Sequence, residues 1–187
     1  MKKIFLKIVL LLILANVGFG DIAQNLGSNY SIYKGNVYYG NEILEGANPK
    51  TAELIGFSLL KDDKNHVYIG NSSIGLWKLD KIENPETFEF LSDTINTDSF
   101  YGKDKYNVYY VNRIFLSCFG TYTWIGFKVE GINRDKVEVL NDWFIKDDKN
   151  IYFEGKILEG VDYNTFEVLP NGDGKDKNRS YEYLTKD

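Results

Sequence analysis

One phrase recurs four times along this 187-residue chain, each copy centred on a tyrosine among apolar residues: Val37-Tyr38-Tyr39, Val67-Tyr68-Ile69, Val108-Tyr109-Tyr110 and Ile151-Tyr152-Phe153. Self-similarity at a period of about 30 residues marks an array of supersecondary units, because one such unit cannot bury its apolar face alone and stacked neighbours must cover it. Arrays of this kind bind or scaffold more often than they catalyse.

Other parts of the phrase recur in fixed order. A charged turn precedes each tyrosine: Lys61-Asp62-Asp63-Lys64-Asn65, Lys103-Asp104-Lys105-Tyr106-Asn107 and Lys146-Asp147-Asp148-Lys149-Asn150, with a shortened Lys34-Gly35-Asn36 first. Downstream come Leu44-Glu45-Gly46, Val129-Glu130-Gly131 and Leu158-Glu159-Gly160. An Asn or Asp follows (Asn48, Asn84, Asn133, Asp162), then Thr51-Ala52-Glu53, Thr87-Phe88-Glu89, Lys136-Val137-Glu138 or Thr165-Phe166-Glu167. Lys175-Asp176-Lys177-Asn178 begins the phrase once more.

The tyrosine phrase mixes aromatic and β-branched residues and reads as a strand on a half-buried pleated surface. The Asp-Lys-Asn segment reads as a solvated turn, in which Asp and Asn bond their own backbone. Apolar residues before each turn complete a β-hairpin. Asn48 and Asp162 stand at N-cap positions, and Pro49 and Pro85 fill the first helical position, so each unit carries a short helical or 3₁₀ turn. The expected fold is all-β: about four β-hairpin repeats in one domain over residues 21–187, with units near 29–56, 57–92, 99–140 and 143–169 and a partial one at 172–184.

Two units carry insertions, and insertions in repeats map to loops that often form the binding face. The second holds Trp77; the third holds Phe115, Phe119, Tyr122 and Trp124. These five aromatics are the candidate binding residues, and the competing reading of the third insertion is an extra hairpin completing the core.

Residues 1–20 read as a secretory leader: basic Met1-Lys2-Lys3, an apolar run from Ile8 to Ala15, and small residues around Gly18-Phe19-Gly20. The run is too short to span a bilayer. Cleavage after Gly20 would leave an extracytoplasmic chain (periplasmic, cell-surface or secreted) with no stable membrane span. The chain carries a net charge of −5, and losing a leader with Lys2, Lys3, Lys7 and no acid makes the remainder more negative. Nucleic acid is a poor partner for such a chain.

Conventional catalytic groups are sparse. The chain has one His and one Cys, His66 and Cys118. A hydrolase built on that pair is a distant reading, and Cys118, set among apolar residues, reads first as a small buried hydrophobe. No metal site and no cofactor are expected: Asn171 to Glu182 imitates an EF-hand only in part, with Lys175 at a ligand place and Asp176 at the glycine.

The copies at 103–110 and 146–153, with Leu-Glu-Gly and Asp-Tyr-Asn-Thr-Phe-Glu after them, resemble the bacterial DKNYY family, which takes its name from this phrase. The resemblance covers about residues 30–183 and implies an exported repeat protein with no catalytic residue to carry over. Two copies depart: the first lacks the turn Asp, and the second inserts His66 between Asn65 and Val67. The expected function is a non-enzymatic interaction or scaffolding module of the cell envelope whose partner is a protein. The alternative is a carbohydrate-binding envelope module whose partner is a glycan.

Overall fold

The computed structural model describes residues 22–182 apart from Phe57, Asn65, 72–74, 93–97 and Phe119. The proposed leader and candidate Phe119 therefore lie outside the described residues. The chain is all-β, a succession of five small antiparallel meanders. The first comprises β1 (Gln24–Gly27), β2 (Tyr30–Tyr33), β3 (Asn36–Tyr39) and β4 (Glu42–Ile43). The second comprises β5 (Glu53–Leu54), β6 (Leu59–Asp62), β7 (His66–Asn71) and β8 (Gly75–Lys78). The third holds β9 (Glu89–Phe90), β10 (Ser99–Lys103), β11 (Val108–Leu116) and β12 (Thr121–Lys128). The fourth holds β13 (Glu138–Val139), β14 (Phe144–Lys146), β15 (Ile151–Phe153) and β16 (Lys156–Ile157). The fragment around Asp176 folds as a three-stranded fifth sheet of β17 (Glu167–Val168), β18 (Gly174–Lys175) and β19 (Ser180–Tyr181).

Pro85–Thr87, Arg134–Lys136 and Tyr163–Thr165 form the expected 3₁₀ turns between sheets, with Pro85 in the first turn, where its missing N–H costs nothing. In the corresponding first linker, the Thr51 and Ala52 amides donate to Asn48 O. Each turn leads into a two-residue strand whose Glu pairs in register with the Lys before the Asp turn: Glu53 with Lys61, Glu89 with Lys103, Glu138 with Lys146 and Glu167 with Lys175. This cross-strand Glu–Lys pair is one reason the phrase keeps both residues.

The central strand of the first sheet is half-buried, as expected, with Val37 and Tyr39 buried and Tyr38 on the other face, whereas those of the second, third and fourth sheets are covered on both faces. Tyr30, Val37, Tyr39 and Leu44 pack against Leu60 and Tyr68 of the second sheet. The opposite face of the second sheet sends Leu59, Val67 and Ile69 against Phe88, Phe100, Tyr109 and Val111 of the third. The third in turn places Tyr101, Val108 and Tyr110 against Ile145 and Tyr152 of the fourth. Because strand side chains alternate, neighbours such as Val108 and Tyr109 enter different interfaces, and a strand with both faces buried reads as a continuous apolar run.

Volume is exchanged between two facing positions of each unit. Where the linker carries phenylalanine the strand carries glycine: a β-carbon on Gly102 would lie 2.3 Å from Phe88, and one on Gly174 2.7 Å from Phe166. Where the linker residue is alanine the strand residue is leucine, Ala52 with Leu60, and the fourth sheet takes an intermediate pair, Val137 with Ile145. Compensation of a large residue by a small neighbour is what a close-packed interface tolerates.

Candidate functional site

The charged turn is only partly solvated, which corrects its reading as a fully exposed element. Its leading aspartate is buried in four units, at Asp62, Asp104, Asp147 and Asp176. In Asp147, Oδ1 accepts from the Lys149 and Asn150 amides at 2.8 Å, while Oδ2 accepts from the Asn133 amide at 2.7 Å and Tyr152 Oη at 3.2 Å. Asp104 repeats the set with Tyr106 and Asn107, then Asn84 at 3.0 Å and Tyr109 Oη at 2.6 Å. Asp176 does so with Asn178 and Arg179, then Asp162 at 2.7 Å and Tyr181 Oη at 2.9 Å. One carboxylate thus closes its own turn, fixes the start of the preceding linker and orients the tyrosine five residues on.

Burial pushes the Asp104 and Asp147 carboxyls up, but their hydrogen bonds outweigh it and hold both below the usual carboxylate range. Asp176 is held well below that range, first by the Asp162 amide. Burial drives the tyrosine partners the other way: Tyr109 is raised, and Tyr152 is pushed up to about 12.

The two departures have structural counterparts. His66 displaces the tyrosine by one position and puts its own Nδ1 3.1 Å from Asp62 Oδ2, in place of the hydroxyl. Tyr68 Oη donates instead to Glu45 O at 3.4 Å. In the first unit, which has no Asp, Lys34 and Gly35 take positive φ and make a tight turn without a carboxylate.

Adjacent units are also tied through the turns. Arg134 Nε and Tyr163 Oη, at matching linker positions, donate to the carbonyls of Asp104 (2.7 Å) and Asp147 (2.5 Å) of the preceding unit. Tyr101 Oη reaches Trp143 O at 2.8 Å and accepts from the Gly155 amide at 3.0 Å. The phrase residues are thus consumed in building the stack. The second-unit counterpart of Leu-Glu-Gly, missed in the sequence, is Leu79-Asp80-Lys81: the Leu79 amide donates to Val67 O as Leu44 does to Val37 O.

Of the five candidate aromatics, Trp77 and Trp124 lie in or against the core between the second and third sheets. The β11–β12 hairpin runs beyond β10, which pairs only as far as Asn112. On this extension Phe115 and Tyr122 face each other, ring centroids 5.0 Å apart and planes tilted by 52°. The Arg113 guanidinium sits 4.6 Å from the Tyr122 ring centre and is ion-paired with Asp98. Cys118 is exposed in the turn of this hairpin, not buried as expected, because the ribbon has outrun the strands that could cover it. His66 is committed to Asp62 in the second sheet's turn. Asn171 and Asp173, the first ligand places of the EF-hand imitation, bond one another at 2.6 Å.

The final strands of the first four sheets follow one another along one side of the stack, separated by grooves. Ile43 and Glu45 face Tyr68 and Leu76. Trp77 and Leu79 face Thr123 and Ile125. Tyr110, Ile114 and Phe127 face Gly155 and Ile157 across about 640 Å³. Exposed large apolar side chains concentrate here: Ile43 (47 %), Phe115 (54 %), Tyr122 (39 %), Phe127 (46 %) and Ile157 (42 %) lie on these strands or the projecting hairpin, and only Ile22 and Tyr106 lie elsewhere among the described residues. Phe127 and Ile157 share the groove between the third and fourth sheets, whereas Phe115 and Tyr122 lie on the opposite face of the β11–β12 hairpin, the face of Trp124.

Among the described residues no helix is long and apolar enough to cross a membrane. The family model described as the DKNYY family matches residues 30–185, while no curated protein and no solved structure matches the chain.

Proposed function

The chain belongs to the DKNYY family, and from that premise we propose that it is a non-catalytic, extracytoplasmic interaction module that recognises a protein of the cell envelope through its open edge face and the projecting third hairpin. The observation carrying this reading is the exposure of Phe115 and Tyr122 on a hairpin that outruns its sheet, with Ile43, Phe127 and Ile157 exposed on edge strands, in a stack whose repeated residues are otherwise turned inward. Export rests on the basic, apolar and small-residue segments of residues 1–20. A non-catalytic role agrees with His66 being engaged by Asp62 in the second sheet while Cys118 sits at the tip of a hairpin of the third. Protein is favoured over glycan because Trp77 and Trp124 serve packing and the Phe115–Tyr122 pair is tilted, not a coplanar platform.

The test is affinity capture from the producing cell's envelope extract with wild-type and Phe115→Ala/Tyr122→Ala baits, scoring proteins and glycans together. Both side chains are exposed, so the variant keeps the fold. A protein held by the wild type and lost by the variant is the expected result. Glycan alone would move the reading to a carbohydrate-binding module, and an empty bait would overturn recognition of either kind.

A further inference from the structure

We propose that the groove between the third and fourth sheets takes an extended, basic peptide segment of a partner protein, which adds as a strand to β16. This rests on the protein-recognition reading and gives it a site and a ligand chemistry. Tyr110 pairs in register with Phe127 and Ile114 with Thr123, so Tyr110, Ile114 and Phe127 share one face of the β11–β12 hairpin and form an apolar wall. The facing wall is Gly155, Lys156 and Ile157.

β16 is the edge of its sheet. The Leu158 amide donates to Ile151 O at 2.8 Å, and Tyr152 is registered with Ile157. Hydrogen-bonded and non-hydrogen-bonded pairs alternate in an antiparallel ladder, so the peptide groups of Ile157 point away from β15 toward the open edge. An incoming strand would bond there, and alternate side chains of that strand would reach the apolar wall.

Charge selects the peptide. The carboxylates of Glu130, Glu154 and Glu159 line the groove without an ion-pair or hydrogen-bond partner among the described residues. Lys128 is held by Glu83 at 2.5 Å, which leaves Lys156 as the one ammonium of the groove without such a partner among the described residues. Three carboxylates against one ammonium favour basic residues at the positions facing the rim.

The test is fluorescence anisotropy of the purified chain with a short labelled peptide alternating valine and lysine, beside a valine–glutamate counterpart and a valine–lysine peptide N-methylated on alternate backbone nitrogens. The valine–lysine peptide binds; the other two do not. Glu130→Lys/Glu159→Lys, both exposed, weakens binding by about tenfold at low salt, a loss that shrinks as salt is added. Equal binding of the lysine and glutamate peptides, binding that survives N-methylation, failure of all three, or an unchanged affinity in the double variant would each overturn the proposal. Envelope capture that persists in Glu130→Lys/Glu159→Lys while the peptide fails would remove this groove and leave the module. Peptide binding with an empty envelope bait would do the reverse.

Discussion

Asp147 and Asp148 are neighbours in one charged turn, yet they hold opposite places. Asp147 is buried under four donors, whereas Asp148 is exposed and accepts from Asn133 Nδ2 at 3.1 Å. Removing a buried acceptor strands its donors, and bonds to charged groups are worth about 1.5–3 kcal/mol each. Asp147→Ala is expected to cost on the order of 3 kcal/mol in denaturant unfolding and Tyr152→Phe about 1.5 kcal/mol, while Asp148→Ala stays within about 0.5 kcal/mol. Equal losses at the two aspartates would refute this account of the phrase. Half of it is legible in the sequence, because Asp and Asn in a turn bond the following amides. The other half is not: the linker amide lies 14 residues before Asp62, Asp147 and Asp176 but 20 before Asp104. Proximity created by stacking leaves no fixed spacing to read.

Among the elements, the linker and the strand it feeds share one volume. Phe88 fills the space that Gly102 leaves, as Leu60 fills the space beside Ala52. Phe88→Ala alone opens a cavity and is expected to cost about 3–5 kcal/mol, and Gly102→Leu alone meets the ring. The double variant Phe88→Ala/Gly102→Leu transplants the arrangement of the second sheet into the third and should recover part of the loss, with a coupling of at least about 0.5 kcal/mol. Additive losses in thermal or denaturant unfolding would mean that the two positions do not share a space. The strand phrase is legible as β from its aromatic and β-branched residues. Its burial on both faces is not, since an uninterrupted apolar run does not disclose how many neighbours cover it.

For the molecule as a whole, the repeated Asp–Tyr contact sets a window of pH. Asp104, Asp147 and Asp176 have folded values below their unfolded ones, so the stability they contribute is present above the ordinary value of about 4 and is lost as pH falls through the lower folded values. Tyr152 is raised to about 12, so its contribution is whole below the ordinary value of about 10 and is lost as pH rises through the folded one. Unfolding free energy should therefore be level between about pH 5 and pH 9 and fall on either side. Asp147→Asn removes one of the titrating groups and should make the acid limb shallower. An acid limb of unchanged slope in that variant would show that the buried carboxylate is not its source.

The sequence by itself determined the array, its all-β character, the tight turns and the 3₁₀ linkers, because each is a local consequence of side-chain type and short-range spacing. The tertiary structure decided the rest. It covered the central strands of the second, third and fourth sheets on both faces, buried one aspartate of each doubled pair and drew Trp77 and Trp124 into the core. It left Phe115 and Tyr122 exposed on one face of the projecting hairpin and Phe127 and Ile157 exposed in the groove on its other face. Those outcomes depend on which units touch and where a hairpin outruns its neighbour. Contacts between residues remote in the chain fix both, and neither is written in any single repeat.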